Sequence, residues 1–136
     1  MKRILVVDEE DGESNIFNFL ELGKRGENKE ASIFHYDYEE AIEILSRSCN
    51  FQAIVMKVDL FSENVWGEDE SFIPLKRIKE EVGLKGMSAM RMIGVTNTPE
   101  LVSEKIITEG KEGKNKFDRI IIEPFEVNYF LREVFK

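Results

Sequence analysis

Five short apolar runs punctuate the chain, at residues 4–7, 33–36, 53–58, 92–95 and 120–122. All but the second are nearly continuous rather than alternating, which is the pattern of strands covered on both faces. The second run is weaker and is expected nearer a sheet edge. Between the runs the apolar spacing changes to a helical period. Ile16, Phe19 and Leu20 follow Asp11, and Asp37 and Glu40 stand as a capping box ahead of Ala41, Ile44 and Leu45. Leu75, Ile78 and Val82 predict a third helix with Pro74 in its first turn. Thr98 and Pro99 cap and open a fourth, which carries Leu101, Val102 and Ile106 and stops at Gly110. Val127, Phe130, Leu131 and Val134 recur at i, i+3, i+4 and i+7.

Strands alternating with helices call for a parallel sheet covered on both faces and joined by right-handed crossovers. The expected architecture is therefore α/β, a three-layer (βα)5 arrangement. No repeat, low-complexity tract or linker interrupts it. Two connections are long, at 59–71 and 110–116.

The chain of 136 residues fits one domain, 1–136, and 42% hydrophobic with 34% charged residues supports an ordinary core. The formal net charge of -8 argues against general nucleic-acid binding, because a phosphate backbone would be repelled over most of the surface. Cys49 is the single cysteine and has no partner for an internal disulfide, which suits a reducing cytoplasm. The run after Lys2 and Arg3 meets Asp8, Glu9 and Glu10 too early for a signal peptide, and no stretch reaches bilayer-crossing length. No membrane association is expected.

In open α/β sheets the ligand sits beyond the carboxyl ends of the strands, near the point where strand order reverses. The first strand delivers Asp8 and Glu9 there, the third Lys57 and then Asp59, the fourth Thr96, and the fifth Glu123 followed by Pro124. Around these positions the sequence resembles the receiver domain of bacterial two-component response regulators. The markers are Ile4-Leu5-Val6-Val7-Asp8-Glu9-Glu10, Tyr38-Glu39-Glu40-Ala41, Gln52-Ala53-Ile54-Val55-Met56-Lys57-Val58-Asp59-Leu60, Gly94-Val95-Thr96-Asn97 and Glu123-Pro124-Phe125. The resemblance covers nearly the whole chain. It implies a flavodoxin-like, CheY-like fold with strand order 2-1-3-4-5 and a cis bond between Glu123 and Pro124. It also implies a pocket in which an acidic pair holds Mg²⁺, an aspartate accepts a phosphoryl group, and Thr96 and a lysine complete the site.

Two positions depart from that pattern. The acceptor position is Lys57 and the family lysine is Glu123. An ammonium cannot form the acyl phosphate and opposes a bound divalent cation. Three carboxylates and one lysine are nonetheless retained among Asp8, Glu9, Lys57 and Glu123, as though two charges had changed places. The expectation is a pseudo-receiver whose cation is built in. It takes no cofactor, is not an enzyme, and leaves Asp8 and Glu9 as a vestigial metal site.

Two alternatives stay open: a phosphorylatable regulator that uses Asp59 with Mg²⁺, and a small flavodoxin-like binding protein or enzyme. The leading reading needs a protein partner, a histidine kinase or a downstream signalling protein, and allows a homodimer. Lys105, Lys111, Lys114, Lys116, Phe117 and Arg119 form the candidate contact patch for an acidic partner. No output domain follows the last helix, so the chain reads as a stand-alone domain or one cut from a longer protein. His35, Met87, Met90 and Met92 are expected to fill space rather than carry chemistry.

Overall fold

The computed structural model of the protein describes residues 2–8, 15–23, 30–47, 50–57, 77–78, 80–83, 90–96 and 117–136. Five strands, β1 (Arg3–Val7), β2 (Ser32–Tyr36), β3 (Ala53–Lys57), β4 (Arg91–Thr96) and β5 (Arg119–Ile122), pair in parallel in the order β2-β1-β3-β4-β5. Three helices have defined bounds: α1 (Asn15–Leu22), α2 (Tyr38–Arg47) and α3 (Val127–Val134). Residues 77–78 and 80–83 are helical as well, as the spacing of Ile78 and Val82 predicts. The expected fourth helix and both long connections lie outside the described residues, as do Cys49, Met87 and Pro74.

Strand periodicity divides the core into two layers. Leu5, Val7, Ile54, Met56 and Met92 point to the side covered by α2 and Ile78. Ile4, Val6, Ala53, Val55, Ile93, Val95 and Ile121 point to the side covered by α1 and α3. Every residue of β3 but its last is buried, which is why its sequence is an unbroken apolar run. In β2 all five residues are only half-buried, as expected of an edge strand. The other edge strand, β5, departs from the expectation of burial on both faces, because its last residue, Ile122, is 41% exposed. An apolar run alone does not tell an edge from an interior position.

Local chemistry agrees with the packing. The Glu40 backbone N–H donates to Asp37 Oδ1 at 2.8 Å, and the Asp37 N–H donates back to Glu40 Oε1 at 3.4 Å. This is the reciprocal box that opens α2. Arg77 grips Glu39 on α2 through two hydrogen bonds of 2.8 and 3.0 Å, with its guanidinium over the Tyr38 ring at 5.4 Å. The hydrogen bonds from Arg77 hold the Glu39 carboxyl below the usual carboxylate range. Burial pushes the Tyr38 phenol up. Gly94 sits where a Cβ would meet Ile120 Cδ1 at 2.8 Å and the Phe117 ring at 3.1 Å, so β4 has no room for a side chain there. Met90 and Met92 are core residues at 2% and 0% exposure, in keeping with their expected filling role. Among the described residues no helix is long and apolar enough to cross a membrane.

Candidate functional site

The parallel register brings the carboxyl ends of the strands level. Val7 pairs with Met56, Lys57 with Val95, and Thr96 with Ile122. The ladder runs one residue past two of the strands: the Asp8 N–H donates to the Tyr36 carbonyl at 3.3 Å, and the Glu123 N–H to the Thr96 carbonyl at 2.8 Å. Alternation therefore persists to Asp8 and Glu123. It sets Asp8, Lys57 and Glu123 on the face of α1 and α3, in step with Val6, Val55 and Ile121. Thr96 is in step with Met92 and falls on the α2 face, fully buried.

Across this edge Lys57 Nζ lies 3.3 Å from Glu123 Oε1, with both side chains about one quarter exposed. The two residues belong to strands separated by β4, a gap of about 9–10 Å at the usual strand spacing, which a side chain as long as lysine can cross. Glu123 Oε1 is shielded from water and accepts no hydrogen bond among the described residues, so the contact is an ion pair without an aligned N–H. At this separation and an effective dielectric near 20 the attraction is on the order of 5 kcal/mol, and desolvation offsets most of it. Asp8 is 5% exposed and engaged in interactions of its own.

An aromatic cluster backs the pair. Phe125, one residue beyond Pro124, stacks on Phe130 of α3 at 4.6 Å and meets Phe19 of α1 edge-on at 5.7 Å. The bond from Glu123 to Pro124 is cis, as the resemblance implies. These rings tie α1 to α3 immediately after Glu123 and Pro124 in the chain and pack against the core on that side of the sheet.

Glu9 and Asp59 lie outside the described residues, as do Lys105, Lys111, Lys114 and Lys116. Of the expected contact patch, Arg119 is exposed, but Phe117 is not a surface residue: it is 4% exposed and packs in the core on the α2 side. The empty space over Gly94 accommodates its ring, which is why a phenylalanine among lysines turns inward. His35 stacks on Phe17 at 5.4 Å, the packing role expected of it.

A second charged cluster went unread in the sequence. Arg91 Nη2, Arg119 Nε and Lys136 Nζ surround Glu133 Oε2 at 3.8, 3.6 and 3.9 Å, at the opposite end of the sheet. An arginine at the first position of β1, β4 and β5 was the available signal.

No family model matches the chain, and no curated protein does. Solved structures match over almost its full length. A two-component response regulator from Clostridium difficile superposes with a TM-score of 0.65 at 20% identity, covering 98% of this chain and 93% of its own. The fold is receiver-like. A protein described as CpaE2 of pilus assembly, from Sinorhizobium meliloti 1021, gives 0.59 at 12% identity, with 98% and 97% covered. The pilus assembly protein CpaE from Caulobacter crescentus CB15 gives 0.54 at 10%, with 98% and 89% covered. In this receiver-like fold the Lys57–Glu123 pair stands at the carboxyl edge, where ligands of open α/β sheets bind.

Proposed function

We propose that the chain is a single pseudo-receiver signalling module that acts by binding a protein partner, without enzymatic activity and without aspartyl phosphorylation of the response-regulator type. The observation that carries this reading is the ion pair itself. Lys57 takes the acceptor position, and its ammonium faces Glu123 at 3.3 Å on the same side of the sheet as Asp8. A side chain that cannot form an acyl phosphate, held by a carboxylate, supports a pocket kept in one state rather than switched by phosphoryl transfer. The donor set suits Mg²⁺ poorly, because a hard divalent cation needs several oxygen ligands and would sit beside an ammonium. Likeness to a response regulator and to two pilus assembly proteins supports a signalling or assembly role carried out through protein contacts.

Intact-mass measurement after incubation with acetyl phosphate and Mg²⁺ tests the reading. The expected result is no phosphoryl adduct. A stoichiometric gain of one phosphoryl group that disappears in Asp59→Asn would replace this reading with that of a regulator phosphorylated at Asp59.

A further inference from the structure

The foot of the sheet, at the amino ends of β4 and β5, holds charge that folding alone does not use up. Arg91, Arg119 and Lys136 all approach one oxygen, Glu133 Oε2, at 3.6–3.9 Å. That oxygen is shielded from water and accepts no hydrogen bond among the described residues, so none of the three cations donates to it. Arg91 instead donates from Nη1 to the Val134 carbonyl at 3.5 Å, and Lys2 donates to the Phe135 carbonyl while lying over the Phe135 ring. Those two cations tie the carboxyl end of α3 to the sheet, where a helix terminus carries about half a negative charge. Arg119 and Lys136 are different: their side chains are 48% and 63% exposed, and their contacts with Glu133 are long. Asp118 is also at this end, but its Oδ2 accepts the Met92 N–H at 2.7 Å. The four cations outnumber the side chains of Glu133 and Asp118 and the helix end that they face, so the side chains of this cluster are net positive. On a chain with net charge -8 this is a local reversal of sign.

We propose that this foot, with Arg119 and Lys136 as its contact residues and Glu133 as the half-buried group that gathers them, docks an acidic segment of a partner protein. Glu133 sits 14% exposed beneath the cations and sets their spacing, so an incoming carboxylate meets a positioned pair of donors rather than two loose side chains. The chain's net charge of -8 disfavours non-specific attachment of the same segment. The surface lies at the opposite end of the sheet from Lys57 and Glu123. It rests on the reading of the chain as a binding module and gives that module a place and a partner chemistry.

Titration of the isotopically labelled full chain with a hexaglutamate peptide at low ionic strength, followed by amide shifts, tests this. Saturable shifts are expected at Arg91, Asp118, Arg119 and residues 133–136, weakening as salt is raised. The double change Arg119→Glu with Lys136→Glu should weaken binding by about tenfold or more. Should the double variant fail to fold, Lys136→Gln at a site 63% exposed gives the same test with a smaller loss. Shifts spread evenly over the surface, or unmoved by these substitutions, would overturn the proposal. Inorganic phosphate saturating the same amides as tightly as the peptide would also overturn it, in favour of a small-oxyanion site. Phosphodonor labelling does not involve these residues, so failure here leaves the pseudo-receiver reading untouched.

Discussion

Lys57→Met should destabilise the fold even though it adds an apolar side chain beside a buried strand. It removes the ammonium 3.3 Å from Glu123 and leaves two carboxylates, Asp8 and Glu123, on one face without it. Exposed pairs are worth about 0–1 kcal/mol, and breaking a buried one costs roughly 3–5. With both partners about one quarter exposed, a loss of about 1–3 kcal/mol is expected from denaturant melts. The double change Lys57→Asp with Glu123→Lys should be better tolerated than Lys57→Asp alone, and effects that add to within about 0.5 kcal/mol would show that the two side chains do not interact. This pair was legible in the sequence because buried parallel strands announce themselves, and the residue after each one must stand at the sheet's carboxyl edge. The placement of Thr96 was not: which face an end residue takes changes with a one-residue shift in where the strand is counted from. Phe117 was misread for another reason. Its sequence neighbours are charged, and only the space over Gly94, contributed by another strand, shows that its ring goes inward.

At the scale of elements, what could be read locally was read well. The reciprocal bonds of Asp37 and Glu40 join residues three apart, so composition and spacing specify them. The clamp between α2 and the helical residues around Ile78 joins Glu39 to Arg77, 38 positions away, and no local pattern marks it. Its effect on Tyr38 can be measured. Burial raises the phenol, and the Arg77 guanidinium, by charge and by hydrogen bond, pulls it back down. In a variant carrying Tyr36→Phe and Tyr129→Phe, tyrosinate absorbance should therefore develop above the ordinary tyrosine range, and Arg77→Met should move it higher still. A raised folded value favours the neutral form, so this contribution to stability is complete below the unfolded value and is lost as pH rises through the folded one. A downward move in Arg77→Met would mean that the guanidinium does not act on the phenol.

At the scale of the whole molecule, charge is sorted by the two ends of the sheet. Asp8 and Glu123, with Glu9 adjacent in sequence, mark the carboxyl end, and Arg91, Arg119 and Lys136 gather at the foot. A net charge of -8 makes the compact state repel itself, so raising ionic strength with NaCl should raise the melting temperature modestly. Mg²⁺ would do the same by screening, and this must be separated from binding. A ligand stabilises the fold by RT ln(1 + [L]/Kd), about 2.7 kcal/mol when its concentration is 100 times Kd. With Lys57 facing Glu123 in the pocket, Kd for Mg²⁺ should exceed millimolar levels, and this term should vanish. Millimolar Mg²⁺ and NaCl of matched ionic strength are therefore expected to give the same melting temperature. Lys57→Asp with Glu123→Lys should break that equality in favour of Mg²⁺, because it moves the ammonium to position 123 and sets a carboxylate at the end of β3, next to β1 and Asp8, with the net charge of the site unchanged. An excess shift with Mg²⁺ in the unmodified chain, abolished by Glu9→Gln, would show that the acidic pair still binds metal beside the lysine, and that the built-in cation does not replace it.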